Sequence, residues 1–84
     1  MFATIKSNVF IDALTVVLSD STKNQLRAIL RDDKGCACKS LEVPVIHGQN
    51  SITWKGLNDL PYGVYTLELF HGEEETRLRL VKRV

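Results

Sequence analysis

The chain has 84 residues, room for one domain with one core and too short for two. Eleven basic and ten acidic residues leave a net charge of +1, so no excess positive field exists to hold a nucleic-acid backbone by counterion release. Apolar residues at 44% and charged residues at 25% match a folded globular chain and exclude a disordered one.

No run approaches the roughly 18–20 apolar residues that span a bilayer, and no basic, apolar and small-residue succession marks a signal peptide. As it stands the chain is therefore expected not to export itself. That leaves a cytoplasmic or virion protein, a mature product, or a piece of a precursor whose signal lies upstream. Cys36 and Cys38 stand two apart on one expected strand face, a poor spacing for pairing with each other. No internal disulfide framework is expected.

Short alternating runs separated by turn residues fill the sequence. Residues 2–6 read as an edge strand and 8–12 as a connection. Residues 13–19 form the first clear strand, with Leu14, Val16 and Leu18 on one face by the two-residue period. A polar loop spans 19–24. Over 25–31, Leu26, Ala28 and Leu30 turn inward while Arg27, Ile29 and Arg31 turn outward. A helix is the rival there, capped by Ser21, but the turn residues Asp32-Asp33-Lys34-Gly35 end the run too early for one.

Asp33-Lys34-Gly35 supplies a reversal into a strand over 36–43, and Pro44 suits a strand exit. His47-Gly48-Gln49-Asn50 is the next turn. In the short strand 51–55, Ile52 and Trp54 share a face, and Trp54 is expected to fill the middle of the core. Leu57 and Leu60 read as plugs closing one end. Pro61-Tyr62-Gly63 leads tightly into the strongest strand, 64–71, where Tyr65, Leu67 and Leu69 alternate with Thr66, Glu68 and Phe70. After the turn at 71–74, the last strand over 76–83 sends Leu78 and Leu80 inward between Arg77 and Arg79. About seven short strands at about ten residues each point to an all-β fold, a two-sheet sandwich or small barrel.

Nothing here specifies a reaction. His47 and His71 are the only imidazoles, both expected in exposed turns, and there is no serine elbow, papain-like cysteine context or phosphate loop. No catalytic residue is assigned and no cofactor is expected. Cys36, Cys38 and His47 make an incomplete zinc set, lacking the second short chelating pair of structural sites, so no metal is expected either. The run Glu73-Glu74-Glu75 beside Arg77 and Arg79 reads as a solvated turn or a charged docking surface. The outward apolar set Val17, Ile29 and Phe70 is a candidate contact patch.

Laid end to end, the sequence resembles the type A C-terminal sorting domains of the type IX secretion system. The opening Ser7-Asn8-Val9-Phe10-Ile11-Asp12-Ala13-Leu14-Thr15-Val16 is similar to the family's first element, without its two prolines. Leu30-Arg31-Asp32-Asp33-Lys34-Gly35 resembles its strand that ends in Asp and turns through Gly. Leu57-Asn58-Asp59-Leu60-Pro61-Tyr62-Gly63-Val64-Tyr65-Thr66-Leu67 is close to its Leu-Pro-x-Gly-x-Tyr segment, and Leu80-Val81-Lys82-Arg83 to its basic-ended final strand.

The resemblance implies an immunoglobulin-like β-sandwich of about seven short antiparallel strands over residues 1–84. It also implies a non-enzymatic recognition module, bound by the secretion translocon or its shuttle protein and ending secreted or at the outer membrane. Pro61, Gly63, Tyr65, Arg77, Arg79, Lys82 and Arg83 would carry recognition. If Met1 is a natural start, the alternative is a free-standing immunoglobulin-like structural protein whose partners are capsid or assembly subunits, as in phage decoration, where association offsets a small core.

Overall fold

Alternating apolar and polar side chains become strands throughout residues 3–18, 25–44 and 50–83, the parts of the chain that the computed structural model describes. Eight strands occur among them: β1 (Ala3–Ile5), β2 (Val9–Phe10), β3 (Leu14–Leu18), β4 (Gln25–Arg31), β5 (Ala37–Pro44), β6 (Ser51–Trp54), β7 (Gly63–His71) and β8 (Glu74–Lys82). They form two sheets, β1-β3-β6 and β2-β8-β7-β4-β5. The helix rival for 25–31 is set aside, because that segment pairs antiparallel with both β5 and β7.

One pairing departs from the sequence reading. The stretch expected only as a connection contains β2, which runs parallel to β8 with Val9 opposite Val81 and Phe10 opposite Lys82. Val81 N donates to the Asn8 carbonyl at 2.8 Å and Arg83 N to the Phe10 carbonyl at 2.9 Å. Two residues are too few to display a period, so this eighth strand carries no alternation signal in the sequence. The expected loops over 19–24 and 47–49 lie outside the described residues.

Both sheets contribute to one apolar cluster. Leu14, Val16, Leu18 and Trp54 come from the smaller sheet, and Leu26, Ala28, Leu30, Tyr65, Leu67, Leu69 and Leu80 from the larger. Leu57 and Leu60, from the loop after β6, are buried in the same cluster. The centre, however, is leucine: Leu26, Leu30, Leu57, Leu67, Leu69 and Leu80 are the largest fully buried side chains. Trp54, on the edge strand β6, is buried in the same cluster, although less completely than these leucines.

The expected outward apolar patch is not one surface. Val17 belongs to the smaller sheet, whereas Ile29 and Phe70 lie on the outer face of the larger. Ile29 is buried there, because β5 and β7 flank it with Ser40 and Glu68 directly opposite. Phe70 is half-buried, with the Arg27 guanidinium 5.6 Å from its ring centroid. His71, expected in an exposed turn, instead ends β7 and is buried opposite Leu26 and Glu74. His47 lies outside the described residues.

Trp54→Ala leaves a large void beside a core of few residues. It is expected to cost about 3–5 kcal/mol of unfolding free energy, read from the urea midpoint at unchanged slope. An unchanged midpoint would mean that β6 does not seal the core as described.

Candidate recognition surface

The segments that the sequence singled out meet at one end of the larger sheet. Leu57 N donates to the Asp12 carbonyl at 2.9 Å, and Leu60 N to the Leu57 carbonyl at 3.3 Å, which folds the chain tightly before Pro61. Gly63 then takes φ +143°, where L side chains are strained, although a Cβ there would meet no atom within 4 Å. Glycine is therefore required by the backbone and not by space.

Two residues on, Tyr65 points inward, and its hydroxyl donates to the Pro61 carbonyl at 2.6 Å. Burial above all, with Cys38, Asp32 and Asp33 adding to it, holds the phenol above its ordinary pKa, so it remains a donor. The Phe10 ring meets it edge-on, with centroids 6.0 Å apart and planes at 65°. Phe10 and Pro61, far apart in sequence, are thereby tied to one side chain.

Beside this segment lies the β4–β5 turn. The Asp32 carboxylate accepts from the Lys34 and Cys36 amides, both at 2.9 Å, while Gly35 N donates to the Asp32 carbonyl at 3.0 Å and takes φ +86°. A cleft of about 210 Å³ separates the turn from the Pro61–Gly63 segment, with Asp32, Asp33 and Lys34 on one wall and Tyr62 and Val64 on the other.

The expected recognition residues divide by position. Pro61, Gly63 and Tyr65 line the cleft, whereas Lys82, opposite Gly63, and Arg79, opposite Thr66, stand on β8 at the other side of β7. Lys82 is buried: its Nζ donates to the Arg83 carbonyl at 2.9 Å and lies 5.8 Å from the Tyr62 ring centroid. The basic side chains exposed at this end of the strand are Arg79 and Arg83. Arg77 lies farther along, with its Nε 3.1 Å from Glu68 and its Nη2 3.3 Å from Glu75.

The sequence reading missed an apolar row. Val64 faces Val81, and Val81 faces Val9, on three adjacent strands, and all three valines are exposed. Val64 and Val81 are outward by simple alternation; Val9 joins them only through the β2–β8 pairing. Cys36 and Cys38 are exposed and free, and local desolvation, reinforced by Asp32, holds the Cys38 thiol above its ordinary pKa, hence protonated.

On the outer face, the buried Glu68 carboxylate is held by Arg31 at 2.7 Å and Arg77 at 3.1 Å. The Arg31 hydrogen bond outweighs desolvation and keeps Glu68 below its ordinary pKa. A depressed carboxylate stabilises the fold above its unfolded pKa and loses that contribution as pH falls through the folded value. Unfolding midpoints are therefore expected to drop on acidification below about pH 4.5, with a shallower drop in Glu68→Gln. Parallel curves would remove Glu68 from the acid response.

Tyr65→Phe keeps the ring and removes only the hydroxyl, leaving the Pro61 carbonyl without that donor. It is expected to cost about 0.5–1.5 kcal/mol in chemical denaturation. No effect would mean that the tie to Pro61 does not hold this end of the domain. Compared with known proteins, the sequence matches no family model and no curated protein.

Proposed function

We propose that this chain is an immunoglobulin-like module that acts by being bound, of the kind it resembles: a C-terminal sorting domain taken up by the type IX translocon or its shuttle protein. The observation that carries the reading is the convergence around Tyr65. Phe10, Pro61 and the β4–β5 turn come from three of the four segments that carry the resemblance, and Lys82 from the fourth stands opposite Gly63.

Two further features support the immunoglobulin-like part. With β1, β3 and β6 as strands A, B and E, and β4, β5, β7 and β8 as C, C′, F and G, the two sheets follow that architecture's arrangement. The tyrosine near the start of strand F, whose hydroxyl returns to an upstream carbonyl, is a further hallmark of it. The reading as a structural assembly protein is favoured by a different observation, the exposed row Val9, Val81 and Val64.

The test is fusion of residues 1–84 behind a signal-bearing reporter, in cells with and without a type IX system. Surface delivery is expected only with the system, and only while residues 76–84 are present. A folded fusion that stays in the periplasm would overturn the sorting reading and leave the assembly one.

A further inference from the structure

The larger sheet has two edges, and the structure treats them differently. On the β8 side, β2 covers only Val81 and Lys82 of a strand that runs from Glu74 to Lys82. The amides of Val81 and Arg83 point towards β2 and are bonded there. Residues two apart direct their backbone groups to the same edge, so Glu75, Arg77 and Arg79 present theirs along the same line. Among the described residues no strand pairs with them; β1 comes close to β8 from the facing sheet but pairs with β3 alone.

Folded proteins blunt such an edge with proline, bulges or inward-pointing charge. The opposite edge, β5, carries two of these, a register shift at Leu30/Arg31 and a terminal Pro44. The uncovered stretch of β8 has neither proline nor bulge nor inward charge; the inward charge of this strand, the buried Lys82, lies where β2 covers it, and the outward side chains Glu75, Arg77 and Arg79 are charged. The pairing of β8 with β7 runs without interruption from Gly63–Lys82 to His71–Glu74, and its inward side chains in the uncovered stretch are Thr76, Leu78 and Leu80. Leu80, beside the stretch that β2 covers, is fully buried, while Leu78 beyond it is only half-buried. A strand continuing the line of β2 would complete that burial with an apolar side chain.

The outward side chains set the other half of the chemistry. Arg79 makes no ion pair among the described residues, and the Arg77 side chain stays 67% exposed despite its two carboxylate contacts. We propose that the open edge of β8 from Glu75 to Arg79 is a strand-addition site for an extended partner segment that alternates apolar and acidic side chains. The apolar set packs beside Leu78 and the acidic set faces Arg77 and Arg79. This rests on the reading of the chain as a module that is bound, and it assigns the mode of binding.

The experiment is amide hydrogen exchange on the full chain, alone and with a short synthetic peptide of alternating aspartate and valine. In the free protein the Glu75, Arg77 and Arg79 amides are expected to exchange faster than those of Thr76, Leu78 and Leu80, which bond to β7. The peptide is expected to slow the three edge amides at least about tenfold, and an alternating lysine and valine peptide to bind at least about tenfold more weakly. Arg77→Pro, which removes one outward amide and leaves the inward ones in place, is expected to abolish binding. Because that variant could unfold, Arg79→Glu serves beside it and is expected to narrow the gap between the two peptides.

Edge amides already protected in the free protein, exchange unchanged by the aspartate peptide, or equal affinity for the two peptides would each overturn the proposal. Reporter delivery without peptide protection would sink strand addition and spare the sorting reading. Peptide protection without delivery would do the reverse.

Discussion

Displacing β7 by one residue against its neighbours would put Thr66, Glu68 and Phe70 in the core and Tyr65, Leu67 and Leu69 in water. The rest of the domain depends on that register. β7 lies between β8 and β4, and its three inward side chains are almost wholly buried. A slip would move the Glu68 carboxylate from its two guanidinium partners into the apolar core and expose about three large apolar groups, at about 1.5–3 kcal/mol for each aliphatic one.

The same register organises the outer face. Ile29 and Glu68 are direct partners, and Arg77 stands opposite Glu68 on β8, so the carboxylate is reached by guanidinium groups from both sides. Arg27 and Phe70, one step along, are paired by the same count. Charges that balance in this middle stretch leave Arg79 and Arg83 exposed towards the valine row. What looks in sequence like a run of mixed charge is thus divided by pairing into a neutralised centre and a basic end.

At that end, the Tyr65 hydroxyl and the Phe10 ring join the start of β7 to the start of the chain. The pairing of β2 with β8 follows directly beside it and stops after two residues, leaving the rest of β8 as an open edge. The recognition reading and the strand-addition proposal both concern β8, but they draw on different properties of it. One uses the grouping of side chains around Tyr65, and the other the unpaired backbone beyond Lys82's pairing with Phe10.

The sequence by itself determined the strands whose alternation is long enough to show: β3, β4 and β7 take the inward sets expected of them, and Leu57 and Leu60 are buried. It did so because burial of one face is a local, period-two property. Tertiary structure alone decided the rest. β2 is too short to carry a period, and Ile29 and His71 became buried through neighbouring strands. Val9 is separated from Val64 and Val81 by most of the chain, and only the register of three strands places them in one row. The candidate site was legible as a set of segments, whereas the burial of Lys82 and the exposure of the β8 edge depend on which backbone lies alongside, which no single segment encodes.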